Sequence, residues 1–479
     1  MLINVTPRRL LLSWFVSLLF FALPARATHI LSSEITFHAD TTNTSALRYF
    51  FKLVIYQETS FTTADSYRVQ INFSDGTIKE VIRKSQTMLA THTQIKRNVY
   101  YFDHLFPAAG TFTVSLREIN RAIDYLNIQN SENIALFIQT TVKIDLAAAG
   151  NNSPLFLAPF IPSGFVGQTY RHNVTAYDPD GDSLAYKLVP ALQNFNQPIA
   201  SYKFPEGATI NNRTGEFIWP APEKTGRFGL AIEVREYRRG VLIGKVMRDF
   251  SVIILPAGQN PVLEIRNRNQ MPVNTRNQIF ISSDGPIKIR VGATNAGSLE
   301  AYSELFRRNN VITSQIIVDN PQEIELTITP NAALKRSLPY ILTFRGTSTI
   351  ANATGTVPQQ DLTVAIYFRP ERATDQQDTN EPGEIPILTD TLDPGDAPNS
   401  EVFKIFPNPA NLWFRVNNSS KSPAVFWLYS PSSQLVLTQN LKINQTLVYL
   451  GNRHKPGIYY YNIISETGGM LQTGKLVIR

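Results

Sequence analysis

The chain is written in short runs in which apolar and polar residues alternate, such as Arg48 to Tyr56 and Thr111 to Ile119, separated by turn signals such as Ser74-Asp75-Gly76 and Ala109-Gly110. A period of two puts successive side chains on opposite faces of a strand, so each run can bury one face and wet the other. Strands at this spacing, punctuated by turns, stack into sandwiches. Composition points the same way. Thr, Asn and Ser are plentiful, helix-favouring Glu/Lys/Ala/Leu runs are scarce, and charged residues make up only 17%. At 479 residues and 43% hydrophobic content, the chain can fill roughly three to five separate cores.

Residues 1–27 read as a secretory signal peptide. Arg8 and Arg9 precede the apolar run Leu10 to Leu23 and a small-x-small site, Ala25-Arg26-Ala27. That run is shorter than the ~20 residues a spanning helix needs, and Ser13 and Ser17 interrupt it. The mature chain is expected to begin near Thr28 and leave the inner membrane. Removing Arg8, Arg9 and Arg26 takes the net charge from +7 to +4. The remaining basic residues are scattered, which argues against nucleic acid as a partner; the knot Arg235 to Arg239 reads as a solvated strand end or hairpin. With no cysteine, disulfides, thiolate metal sites and thiol catalysis are all excluded.

Along the mature chain, a first β-sandwich is expected over 28–150, a second over 151–257 and a third over 258–370. The third has alternating runs at Ile287 to Val291, Glu323 to Ile328 and Leu362 to Phe368, with a single helix over Leu299 to Arg308. Residues 371–400 turn to Asp, Glu, Thr, Gln and Pro and read as a flexible acidic linker, because they offer too little apolar area to offset ordering. A compact unit follows over 401–479.

Three stretches resemble known families. Ala27-Thr28-His29-Ile30 with Glu34-Ile35-Thr36 resembles the mature start of large gliding-motility-associated surface proteins of Bacteroidetes, although Ser32-Ser33 stand where those proteins show two glycines. Asn152-Ser153-Pro154, Gly167 to Tyr170, Ala176 to Tyr186 and Thr214 to Pro220 together resemble a cadherin-like, immunoglobulin-type domain of bacterial surface proteins. In the tail, Phe406-Pro407-Asn408-Pro409-Ala410, Pro456-Gly457-Ile458-Tyr459 and the closing Lys475 to Arg479 resemble the type A sorting domain of type IX secretion cargo, with Ser433 where that family carries a glycine. These resemblances imply an all-β fold of tandem immunoglobulin-like sandwiches ending in a small sandwich that sorts the protein. They also imply type IX secretion machinery as a partner, attachment to surface lipopolysaccharide, and a place outside the cell or on the outer-membrane surface. Pro407, Asn408, Pro409, Gly457, Tyr459 and Lys475 are the positions that would carry the signal.

One loop offers chemistry. Asp178-Pro179-Asp180-Gly181-Asp182 sets three carboxylates at alternate positions around a glycine that permits a sharp bend, so their oxygens can converge on a hard cation. Calcium is the natural candidate, and in cadherin-like families the equivalent loop helps bind it at domain junctions. Asn152 sits at such a junction, and Glu233 and Glu236 could add a carboxylate. A bare turn, its aspartates bonded to local amides, explains the same residues without a metal. Asp75 beside Gly76 reads as a hairpin turn. No His pair has zinc spacing, and no nucleophile elbow, phosphate loop or dinucleotide fingerprint is present. The expected function is therefore non-catalytic adhesion or surface structure with an unknown glycan or protein ligand. The alternative is an accessory polysaccharide-binding or hydrolytic protein in which Trp219 stacks on sugar rings, against a core role for Trp219.

Overall fold

The computed structural model describes residues 30–42, 46–59, 65–89, 92–118, 121–146, 150–256, 258–282, 285–308, 311–319, 322–349, 357–371, 403–410, 413–420, 422–430, 435–450, 456–465 and 470–479. The signal-peptide segment and nearly all of the acidic linker lie outside the described residues. The architecture is all-β: β-sandwiches in tandem, with only four short 3-10 turns among the described residues.

The first unit packs two sheets face to face. One holds Ile78–Ile82, Arg68–Phe73, Gly110–Glu118 and Leu136–Ile144; the other holds Ile30–Ala39, Arg48–Glu58, His92–Leu105 and Ser85–Leu89. Alternation does the sorting. In Arg68–Phe73 the residues Val69, Ile71 and Phe73 turn inward, while their polar neighbours face out or lie at the edge. Between the sheets Phe51 stacks on Phe102 at 5.2 Å, and Leu53, Ile71, Tyr100, Val114 and Ile138 fill the layer.

Both sheets of this unit then run into one strand of the next. Val241–Leu255 is 15 residues long, about 50 Å of extended chain, which is longer than one sandwich layer requires. Its first part pairs with the first sheet, Gly244 to Val246 against Val142 to Thr140. Its middle pairs with the second sheet, Arg248 to Phe250 against Glu34 to Ser32. The opposite edge pairs along its length with Gly226–Arg238, which continues to Ser183–Val189. The result is a single 14-stranded sheet across what the sequence divides into two units.

Two adjacent charges on that strand clamp the junction. Successive residues face opposite ways, so Arg248 reaches Glu34 at 2.5 Å and the carbonyl of Ala158, with its guanidinium over the Phe156 ring, while Asp249 turns to Arg121. Arg121 donates two bonds to Asp249, at 3.0 and 2.7 Å, and a third to the Leu192 carbonyl. Both side chains are essentially sealed from solvent, at 0% and 2% exposure.

The second unit closes over its half of the long sheet with Tyr170–Asn173, Glu216–Trp219 and Thr209–Ile210. The third is a sandwich of two four-stranded sheets. There the expected helix over Leu299 to Arg308 is instead a strand, Ser298–Tyr302, and one 3-10 turn, Glu304–Arg307. Leu299 is drawn into the core by pairing with Gly346, and the Ser303 hydroxyl accepts from Leu305 N, which caps the turn. The tail is a small sandwich of three and four strands.

The second and third units are joined through Asp361. It accepts from Arg345 Nε and Nη2 at 2.7 and 2.8 Å, from Asn173 N at 2.9 Å and from His172 Nδ1 at 3.1 Å. Arg345 also reaches the Pro159 carbonyl, and Thr175 bonds to Thr343. Burial lowers the pKa of His172 to about 4 against the opposing pull of Asp361, so the ring is neutral, donates from Nδ1 and leaves Nε2 buried with no hydrogen-bond partner.

Two outcomes follow from these joints. Arg121→Ala strands the Asp249 carboxylate in the interior and is expected to cost about 3–5 kcal/mol, read as a lower urea midpoint for the joined first and second units; an unchanged midpoint would show that the clamp is not limiting. For His172 the folded pKa lies below the unfolded value of 6.5, so its contribution is present above that value and is lost as pH falls toward 4. Melting measured at pH 7 and pH 5 should therefore drop more in the wild type than in His172→Asn, and equal drops would contradict the assignment.

Candidate metal centre

The Asp178 loop leads into Ser183–Val189, the strand that pairs with Gly226–Arg238. Gly181 takes a positive φ of 84°, a conformation that side chains other than glycine resist, and this folds the loop back on itself. Asp178 Oδ1 then accepts from the amides of Asp180 and Asp182, at 2.9 and 3.0 Å. So far this is the bare turn of the sequence reading. The strand below changes the outcome by delivering Glu236, and the carboxylates of Asp178, Asp180, Asp182 and Glu236 each bring one oxygen within 4.8 Å of all the others.

Burial makes this grouping costly. Asp178 and Glu236 are buried, and one oxygen of each, Asp178 Oδ2 and Glu236 Oε1, has no hydrogen-bond partner. Burial first, and then the neighbouring carboxylates, pushes both pKa values well above the usual carboxylate range. Burial also raises Asp180 to about 6 against its bonds from Asn152. Arg238 offsets part of the charge. It holds Asp182 in bonds of 2.6 to 3.0 Å, touches Asp180 at 3.2 Å and donates to Asn151 Oδ1. Although burial works against its own charge, the Asp182 contact raises the Arg238 pKa.

The residues present fit a hard divalent cation. Calcium binds oxygens at about 2.3–2.6 Å, so ligands across the ion stand about 5 Å apart, and the four oxygens here span 4.8 Å. All are carboxylate oxygens, and Asp178 and Glu236 each keep one carboxylate oxygen with no donor. Such an ion would displace the protons that burial favours on Asp178 and Glu236.

Not every expected ligand arrives. Glu233 lies three residues before Glu236 on the same strand and pairs instead with Arg235 at 2.6 Å, outside the group. Asn152 is close but is a support: its amide and Nδ2 donate to Asp180 at 2.8 and 2.6 Å, while its Oδ1 accepts from Ala39 N of the first unit. The knot Arg235 to Arg239 does form a hairpin end, with Arg239 and Gly240 at positive φ, yet Arg238 is not simply solvated. Asp75 likewise does more than turn the chain, since its carboxylate meets His104 Nε2 at 2.6 Å. Trp219 is core, 3% exposed and edge-on to Phe228 at 4.8 Å, which removes it as a sugar platform.

Three contributors escaped the sequence reading: Asn151, Arg238 and Gly244. Asn151 donates to Glu236 Oε2 at 2.9 Å. Gly244 is the cross-strand partner of Glu236, and a Cβ there would stand 2.4 Å from that same oxygen. Counting back through the Arg239-Gly240 turn would pair Glu236 with Ile243, and the bulge at Glu236/Tyr237 shifts its partner to Gly244.

In the tail, the three stretches Phe406 to Ala410, Pro456 to Tyr459 and Lys475 to Arg479 meet on the last strand. Asn408 donates from Nδ2 to the Lys475 carbonyl at 2.8 Å and accepts from Val477 N at 2.9 Å. Gly457 pairs with Ile478 and Tyr459 with Leu476. Pro407, Asn408 and Pro409 form an exposed corner, Tyr459 is core, and Lys475 Nζ lies 4.8 Å from the Phe50 ring of the first unit. Ser433 lies outside the described residues.

No family model matches the chain, and no curated protein matches it. Among solved structures it is similar to the titin domains z1z2 in complex with telethonin, with TM-score 0.16 and 11% identity over 46% of this chain and 99% of that one. It is also similar to a Bacteroides ovatus glucan-utilisation protein, SGBP-B, in complex with a mixed-linkage heptasaccharide (TM-score 0.14, 11% identity, 69% of this chain and 71% of that one). A third is the protocadherin gamma B2 extracellular cadherin domains 1–5 (TM-score 0.17, 9% identity, 88% and 75%). At TM-scores of this size the likeness carries no argument about what this chain binds.

The geometry makes Gly244 a sensitive position. Gly244→Ala must displace the Glu236 carboxylate and is expected to weaken calcium binding at least tenfold by titration calorimetry, with the far-UV spectrum unchanged. An unaltered affinity would exclude Glu236 from the site.

Proposed function

We propose that this chain is a non-catalytic binding or structural protein displayed at the outer surface of a bacterium, and that calcium at the Asp178, Asp180, Asp182 and Glu236 cluster stiffens it. The observation that carries the reading is where the cluster sits. Asn152 bridges Ala39 of the first unit to Asp180 of the second, and Asn151 bridges Glu236 to Arg238. A cation among these carboxylates would lock the loop to Gly226–Arg238, which pairs along the strand that both units share, converting charge repulsion into a rigid joint. A stiff row of sandwiches suits adhesion or surface-layer structure.

Delivery belongs to the tail in this reading. The convergence of the Phe406 to Ala410, Pro456 to Tyr459 and Lys475 to Arg479 motifs on one strand, with Pro407 to Pro409 exposed at its corner, supports recognition of the tail by type IX secretion machinery, followed by attachment to surface lipopolysaccharide.

Calorimetry should use the full mature chain, since excising 151–257 would tear Val241–Leu255 from its partners in the first unit. Calcium is expected to bind at millimolar concentration or below and to raise the melting temperature, and Asp178→Asn to abolish both effects; absence of calcium heat in the wild type removes the cation from the proposal. Deleting residues 401–479 is expected to leave the protein inside the outer membrane. Normal surface delivery of the deletion would sink the sorting role.

A further inference from the structure

The joint between the first and second units leaves a groove of about 400 Å³ on the outer face of a first-unit sheet. One side is the sheet itself. Ile71, Phe73, Val114 and Leu116 turn into the core, so their neighbours Asn72, Ser115 and Arg117 face the groove. The other side is the second-unit hairpin that joins Leu192–Asn194 to Gln197–Pro198, with Phe195 at its tip. From this groove we infer that the chain binds a polysaccharide bearing carboxylate groups, with Phe195 against a sugar ring and Arg117 on the acid.

The aromatic ring is held out in water. Phe195 is 51% exposed, and bonds at both ends of its hairpin keep it there. At the base, Leu192 pairs with Phe137, and its carbonyl accepts from Arg121, the buried arginine of the clamp. At the tip, Gln139 of the sheet donates to Asn196 Oδ1 at 2.7 Å and accepts from Asn196 N at 3.2 Å, with Asn196 in the left-handed region at φ 49°. Asn194 Oδ1 accepts from Phe195 N at 2.9 Å. The ring is thus ordered before any ligand arrives, and binding need not order it. An exposed aromatic face beside a polar wall suits the C–H face of a pyranose.

The wall supplies the charge. Its lining holds one cation, Arg117, and no acid. Arg117 is exposed and makes no ion pair among the described residues, while Glu118 turns to the other side of the strand. A planar guanidinium fork suits a carboxylate. Around it Asn72, Ser74, Ser115 and Asn194 offer hydroxyl and amide groups that both donate and accept, as sugar hydroxyls do.

Other ligands fit less well. The strands Arg68–Phe73, Gly110–Glu118 and Leu136–Ile144 are each paired on both edges, so no ladder is open to an added peptide strand. Phe73 and Phe137 are buried, which leaves Phe195 as the one exposed apolar surface of the lining and gives a peptide anchor no pocket. A single arginine is too little charge for a nucleic-acid backbone. The inference deepens the proposal of a surface binding protein and rests on it. The groove shares no residue with the acidic cluster or the tail.

The test is calorimetry of the full mature chain, in calcium-free buffer, against hexamers of galacturonic acid and of mannuronic acid, the methyl ester of the first, and hexaglutamate. Binding to at least one acidic sugar is expected, at least tenfold tighter than to the ester or to hexaglutamate. Phe195→Ala and Arg117→Gln, both at exposed positions, should each weaken that binding at least tenfold with the melting temperature unchanged. Failure of the wild type to bind either acidic hexamer overturns the inference, as does equal affinity for the ester or for hexaglutamate, or full affinity in either variant. Calcium heat and surface delivery are measured apart from these titrations, so the wider proposal stands or falls separately.

Discussion

Two neighbouring charges on one strand, Arg248 and Asp249, hold the first two units together. An extended backbone turns adjacent side chains to opposite faces, so one strand can grip Glu34 on one side and Arg121 on the other. A buried ion pair is rarely worth more than apolar residues of the same size, yet breaking one is expensive, because the survivor has no solvent to turn to. Such a clamp specifies how the layers meet more than it stabilises them. It places Val241–Leu255 where both sheets of the first sandwich can pair with it, and everything downstream is hung from that strand.

The acidic cluster is a consequence of this arrangement. Asp178, Asp180 and Asp182 alone would make an ordinary turn, with Asp178 Oδ1 satisfied by local amides. The strand shared by the units fixes Gly226–Arg238 beside the loop, brings Glu236 beneath it and, opposite Glu236, sets the one residue small enough to leave room for its carboxylate. Repulsion among four clustered acids, two of them buried, is then only partly relieved by Arg238. A site that keeps two carboxylate oxygens without donors costs stability unless a cation completes it.

The same logic of paired buried charge recurs between the second and third units, where Asp361 collects Arg345, His172 and a backbone amide. That joint is polar, interlocked and directional, so it fixes an angle between two sandwiches more sharply than an apolar contact would.

Much of this was legible in the chain itself. Period-two alternation determined the all-β class, because it dictates which face of each strand is apolar, and the burial of Tyr170, Val174, Phe217 and Trp219 follows from it. The Asp178 to Asp182 loop was legible because its spacing and its glycine act locally. Glu233 was misplaced, and Gly244, Arg238 and Asn151 passed unnoticed, because their roles depend on register across a hairpin with a bulge. The helix expected at Leu299 was lost to an edge pairing that propensity does not encode. Sequence fixes what each short segment prefers, since that preference is set by near neighbours. Which segments share a sheet, which acids meet and where a groove opens were decided by tertiary structure alone, because those contacts join residues far apart in the chain, such as Glu34 and Arg248 at 214 positions, and no local pattern records them.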